Sequence, residues 1–236
     1  MIIVLAVLLV VVGVGTAAEL YVRHRVTSCL TDAAATAVGG PVDIGLSRKP
    51  LLLSLVDRKV PYLTADSDNA AFDTPGGPQL TDLRVQARFN GVHLPGSDGR
   101  GGYLDSSVAT VSWPTQAIAS SVRAQAFGGL VTQLSTDGGT LRVQFLGGLG
   151  TTTLRPIVQA GRIVIETVDV RVFGLGLPTS PVQQVVNLLS GNLSTFPLGL
   201  TPTAVRVTDV GVEITLAGGG AELPPLHRDP SACSSF

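Results

Sequence analysis

The sequence predicts an α+β fold in which a large, strongly curved antiparallel sheet wraps on a long helix, with a second, short amphipathic helix. Three observations carry that expectation. Apolar and polar residues alternate in many short runs, as in Leu83, Val85, Ala87 and Phe89 set against Arg84, Gln86 and Arg88. Helical periodicity is confined to a few segments, and no strand-helix-strand repeat points to a parallel sheet. The 28 glycines suit a sheet that bends, because glycine inside strands marks bulges and tight corners. A curved sheet around a helix leaves an elongated apolar interior.

The first segment is unbroken apolar sequence from Ile2 to Ala18. Its length fits a signal h-region or a minimal membrane span, so residues 1–18 are expected to be a signal peptide or an N-terminal membrane anchor. Gly15, Ala17 and Ala18 suit signal peptidase. A basic n-region is missing, and Arg23 and Arg25 run against export under the positive-inside rule; export is still the favoured reading. Gly13 to Ala18, "GVGTAA", satisfies G-x-G-x-x-A, but the preceding run is too long for one strand and no βαβ alternation follows, so a dinucleotide site is rejected.

The folded domain is expected over residues 19–217. From Glu19 to Val38, Val22, Val26, Leu30, Ala33 and Ala37 recur at spacings of three and four, an amphipathic helix stopped by Gly39-Gly40-Pro41. Val42–Ser47 and Leu51–Val56 read as strands, and "KVPYLTADSDNAAF" as an extended stretch ending in turns. Pro95–Gly102 is a loop and Tyr103–Ser112 a strand. A short helix follows Trp113-Pro114, with Ile118, Val122 and Ala126 on one face. Strands follow at Leu141–Phe145, Thr152–Val158 and Arg162–Val172. In the last, apolar parity changes from Ile163 and Ile165 to Val168, Val170 and Val172, which a β-bulge would explain. Ser180-Pro181 with Gln183 starts another helix, striped by Val182, Val185, Val186 and Leu189 and ended by Gly191. Thr203–Ala217 forms a hairpin turning at Asp209–Gly211. Residues 218–236 are a Gly/Pro-rich C-terminal tail.

Composition narrows function. The 236 residues include 44% hydrophobic and only 14% charged side chains, with a mean hydropathy of +0.40. That is high even after allowing for one hydrophobic segment, and the surplus apolar surface needs a place. With 16 Lys+Arg against 17 Asp+Glu and a net charge of -1, no global field draws nucleic acid, so anion recognition must be local. Catalysis has little to build on. His24, His93 and His227 are far apart, none beside a ligand pair, and there is neither a G-x-S-x-G elbow nor an H-E-x-x-H pair. His93 in "NGVHLPG" reads as a loop residue, and Asp66–Asn69, "DSDN", as a polar turn lacking the rest of a calcium loop. No enzyme, metal or cofactor is expected.

Two cysteines, Cys29 and Cys233, read in an exported chain as a disulfide tying the tail to the first helix. Lipidation at "VTSC" and unpaired thiols are the alternatives; a lipobox should follow the hydrophobic segment directly, and "ELYVRHR" intervenes.

The stretch "RKPLLLSLVDRK" carries the ligand argument. A membrane lipid needs an apolar groove for its chains and a few basic side chains at the mouth for phosphate. Arg48, Lys49, Arg58 and Lys59 are the headgroup candidates; Leu51, Leu53 and Leu55, with Val185, Val186 and Leu189, are the groove candidates. The competing explanation is that the charges keep the ends of an edge strand solvated.

"PVDIGLSRKPLLLSL", "VPYLTADSDNAAF", the N-terminal hydrophobic segment and the hairpin "VRVTDVGVEITL" together resemble the LmeA-type lipid-binding proteins of the mycobacterial and wider actinobacterial cell envelope, over roughly Val22 to Ala217. The resemblance implies an exported protein, periplasmic or associated with the plasma membrane. It implies non-enzymatic binding or transfer of anionic phospholipid, of phosphatidylinositol type, that supports mannan elongation of lipomannan and lipoarabinomannan. Phospholipid, the membrane surface and an envelope mannosyltransferase are the partners it suggests. That family is in turn similar to the tubular lipid-binding fold of bactericidal permeability-increasing protein. The alternative class is a membrane-anchored scaffold for envelope glycosyltransferases, distinguished by a filled interior in place of an apolar tunnel.

Overall fold

The computed structural model describes residues 2–72, 80–94, 101–124, 130–172 and 196–223. They form an α+β fold of antiparallel strands and three helices, and the strands divide between two open sheets where the sequence suggested one. Helix α1 (Ile2–Val38) is continuous. The apolar run and the amphipathic segment are therefore one helix, since neither Gly13 nor Gly15 meets a helix-breaking neighbour such as proline. Among the described residues, no helix is long and apolar enough to cross a membrane.

The larger sheet joins β1 (Asp43–Leu46), β2 (Lys59–Phe72), β3 (Leu80–His93), β4 (Tyr103–Pro114), β10 (Gly211–Gly218) and β9 (Thr201–Thr208) in that order, with β11 (Ala221–Glu222) on one end of β4. The smaller sheet is the meander β5 (Val131–Asp137), β6 (Thr140–Phe145), β7 (Gly150–Gln159) and β8 (Arg162–Val172). Strand β5 was not foreseen. The parity switch in β8 is a bulge as expected: Thr153 pairs with Asp169 and Leu154 with Thr167, leaving Val168 as the extra residue. "DSDN" is not a turn. It lies inside β2, where the register with β3 shifts between Ser67 and Ala70, so the polar residues occupy a strand irregularity.

Helix α3 (Thr115–Arg123) follows Pro114, whose extended backbone sets the first turn. Its Ile118 and Val122 are buried against residues of both sheets, among them Leu83, Trp113, Leu141, Val143, Leu154, Ile214 and Leu216. This is the main core. The helix expected at Ser180–Leu189, with Val185, Val186 and Leu189, lies outside the described residues, as does the tail beyond Leu223.

The segment Leu51–Val56, read as a strand, is instead helix α2 (Leu51–Asp57). Three consecutive leucines offer no alternation for a half-buried strand, and leucine is among the better helix formers. Pro50 opens the turn with φ −55° and ψ 130°, its carbonyl accepting the Ser54 amide at 3.1 Å. Arg58, at φ 55°, ends it in the left-handed region.

A crease runs across β2, β3 and β4. Along β3 the inward side chains are Leu83, Val85, Ala87 and Phe89, and then Val92, a step of three where alternation requires two. The paired strands make the same step in the same place: Val60 and Leu63 on β2, Leu104 and Ser107 on β4. Gly91 lies at the fold of the crease, at φ +59°, and a Cβ there would run into the Asp105 carboxylate on β4. On the near side, Val60, Val92 and Leu104 form a second, smaller core.

Candidate functional site

That smaller core is the floor of a cavity of about 460 Å³. One wall is α1, through Val22, Val26 and Leu30; another is Leu46 of β1 with Leu51, Ser54 and Leu55 of α2. The floor is Val60, Leu63, Phe89, Val92 and Leu104, and the remaining lining comes from His93, Leu94, Gly102, Leu198 and Leu223. Ser54 and His93 supply the lining's only polar side chains among the described residues. The volume lies within the ~300–1,000 Å³ typical of small-molecule sites. An enclosure this uniform offers an apolar chain dispersion contacts and almost no directional bond.

Two α1 side chains hold the α2 wall in place. Arg23 donates from Nη2 to the carbonyls of Leu46, at 3.3 Å, and Ser47, where the chain leaves β1. Glu19, one turn earlier, accepts the Leu51 amide on Oε1 at 2.6 Å and the Leu52 amide on Oε2 at 3.0 Å. A carboxylate at a helix start satisfies amides that have no partner within the helix. Glu19 and Arg23, four residues apart on one helix, thus clasp the connection from both sides.

The groove candidates fare unequally. Leu51 is buried and lines the cavity; Leu55 lines it too while remaining 54% exposed. Leu53 points to solvent, 56% exposed, because on a helix it lies on the side opposite Leu51 and Ser54. The stripe residues Val22 and Val26 are legible as a helix face, but nothing in their spacing points to a cavity beneath it.

The four basic candidates also separate. Lys49 is ion-paired with Asp57 at the far end of α2 and donates to the Lys59 carbonyl at 3.1 Å, closing the α2 segment into a loop. Lys59 pairs with Asp105 Oδ2 at 3.3 Å, and His93 Nε2 lies 3.0 Å from Asp105 Oδ1. Arg48 and Arg58 are exposed and have no ion pair among the described residues. The hydrogen bond from Lys49, with that of the Lys59 amide, holds the Asp57 carboxyl below the usual carboxylate range. At Asp105, partial desolvation works upward, but hydrogen bonds from Lys59 and His93 outweigh it and the carboxyl again lies low.

His93 is a correction to the sequence reading: it is the last residue of β3, with its ring 6.0 Å from that of Tyr103 and one edge on the cavity. Asp105 had no local signal at all. Among the described residues no group of His, Cys, Asp and Glu is placed to hold a metal ion. Cys29 on α1 is disulfide-bonded; Cys233 lies outside the described residues.

An apolar cavity of this kind narrows the choice of family, and the family model described as LmeA-like phospholipid-binding matches residues 13–217. This chain belongs to that family. The LmeA-like match spans α1 from Gly13, the clasp, α2 and both sheets as far as Ala217, so it covers nearly all of the cavity lining. The chain is also similar to an uncharacterized protein of Mycobacterium bovis and to uncharacterized proteins of two Mycobacterium tuberculosis strains. Each is 26% identical over 219 residues, 90% of this chain and 61% of the relative. The chain therefore spans about three-fifths of the length of the curated relatives it matches. No solved structure matches it. LmeA-like membership supports phospholipid as the ligand class.

Proposed function

We propose that the protein binds anionic phospholipid non-enzymatically, with acyl chain in the cavity between α1, α2 and the larger sheet, and carries or presents it in the cell envelope. The observation that carries this reading is the cavity of about 460 Å³ with its almost wholly aliphatic and aromatic lining. A scaffold would instead have its helix and sheet packed together without such a space. On this reading α1 and the sheet are two walls of a tube. Arg48 and Arg58, without an ion pair among the described residues, are the cations for phosphate, while Lys59, His93 and Asp105 face the polar end of the ligand.

The finer reading follows the envelope proteins that the sequence resembles. The lipid is of phosphatidylinositol type, the role is support of mannan elongation, and an envelope mannosyltransferase receives the lipid. Residues 1–18 act in export or anchoring, residues 19–217 hold the lipid, and residues 218–236 are a tail. Native mass spectrometry of the purified protein tests the core of this: copurified phospholipid at defined stoichiometry is expected. Protein that carries none, and that shows no preference for anionic over neutral vesicles, refutes it. A gene deletion that leaves mannan length unchanged removes the finer role.

A further inference from the structure

Helix α2 is built inside out. Its serine, Ser54, is buried beside Leu51, while Leu52, Leu53, Leu55 and Val56 are exposed, Val56 by 83%. At about 100° per residue these four occupy one continuous arc of roughly 160°. Single exposed leucines are ordinary, but a contiguous apolar crest marks a contact surface.

Three neighbours indicate what the crest meets. Its inner side is cavity wall, and Leu55 belongs both to that wall and to the exposed arc. Its two ends carry Arg48 and Arg58, exposed and without an ion pair among the described residues. Its first amides are held by Glu19, the residue directly after the apolar run, whose last residues, Gly13 to Ala18, are exposed helix. Apolar surface from two elements thus converges beside unneutralised positive charge, at the mouth of a cavity suited to lipid chains. The geometry points to α2 as a docking crest that enters the surface of an anionic bilayer. Leu52, Leu53, Leu55 and Val56 lie at the acyl boundary, and Arg48 and Arg58 at the level of the phosphates. The Lys49–Asp57 pair and the Glu19 cap keep the crest folded as it inserts. This inference rests on the lipid-binding reading and adds the route: an acyl chain passes over Leu55 from bilayer to cavity without crossing water.

The test uses the full chain carrying Val56→Trp, with Val170→Trp on β8, also exposed, as comparison. Vesicles contain phosphatidylcholine and phosphatidylglycerol in equal parts with brominated acyl chains. Tryptophan at residue 56 is expected to shift to shorter wavelength and be quenched, and tryptophan at residue 170 to be unaffected. An unquenched residue 56 on vesicle-bound protein overturns the proposal, as does self-association abolished by Leu53→Glu/Val56→Glu, which would make the crest a contact between copies. The same double variant should take up lipid from vesicles at least about tenfold more slowly, yet bind a dissolved short-chain phospholipid as the natural chain does. Wild-type uptake rates in that variant sink the crest alone. Failure of the natural chain to bind the short-chain lipid sinks the lipid reading beneath it. Arg48→Gln and Arg58→Gln should each weaken binding to the anionic vesicles about fivefold and leave pure phosphatidylcholine unaffected; equal losses on both refute the phosphate-level placement.

Discussion

Filling the cavity from its helical wall separates lipid binding from folding. Val26 lines the cavity from α1 and is only half buried, so Val26→Trp enlarges a side chain that faces open space. The added indole displaces about three methylene groups of a bound chain, and each is worth ~0.8 kcal/mol on removal from water. The expected loss is about 2.4 kcal/mol, a Kd about 60-fold weaker. The assay is a titration with a fluorescent phospholipid, paired with thermal unfolding to confirm that the variant keeps its fold. Ser28→Trp, on the exposed side of the same helix, controls for the tryptophan itself and should leave Kd unchanged. A folded Val26→Trp variant that binds as tightly as the natural chain would refute the placement of acyl chain in this cavity. An equal loss in Ser28→Trp would show that helix α1 matters for some other reason.

Four further outcomes are expected. Asp57 and Asp105 have carboxyls held below the ordinary 3.8 in the fold. The unfolded chain therefore binds more protons near that value, and the stabilisation is complete above it and lost as pH falls through the lower folded values; a thermal midpoint that does not decline below about pH 4, or declines as much in Asp57→Asn/Asp105→Asn, contradicts this. Gly91→Ala forces both a left-handed backbone and the Asp105 contact, and should destabilise by roughly 1–3 kcal/mol. Gly138→Ala, at φ +53° in open space, should cost less, and equal unfolding midpoints would remove the role given to Asp105. Glu19→Ala should cost about 1–2 kcal/mol and speed hydrogen exchange at the Leu51 and Leu52 amides first, whereas unchanged protection there would mean the cap does not hold α2. Non-reducing digestion should yield a peptide joining Cys29 to Cys233, the chain's other cysteine; recovery of a free Cys233 thiol would exclude that pairing.

The strands were legible because alternation is a local signal. The bulge at Val168 shows how far that reaches: parity along one strand, Ile163 and Ile165 against Val170, sufficed to find it. Helix α2 is hard to read locally because its decisive partner, Glu19, lies 32 residues upstream of Leu51, outside any local window. The cavity was hidden for a related reason. Val26, Leu51, Leu63, Leu104 and Leu198 come from separate parts of the chain, and each taken alone is an ordinary core residue. His93 reads as a loop residue from its neighbours, since "LPG" follows it, although it closes β3. The crease left a trace in the step from Phe89 to Val92 around Gly91. Its meaning needed the register that aligns it with Val60 and Leu104.

The crease also divides the labour of holding the molecule together. Beyond it, Ile118, Leu141, Leu154 and Ile214 are sealed in one large core that spans both sheets; before it, Val60, Val92 and Leu104 make a core of three, bordered by empty space. Fewer buried side chains resist separation there than beyond the crease, so the mouth can loosen as a local opening while the remainder stays folded. On the lipid-binding reading, a container for a chain-like ligand needs such a seam: loading by breathing at one end works against the small core, the side chains packed on it and the Glu19–Arg23 clasp, and leaves the large core closed.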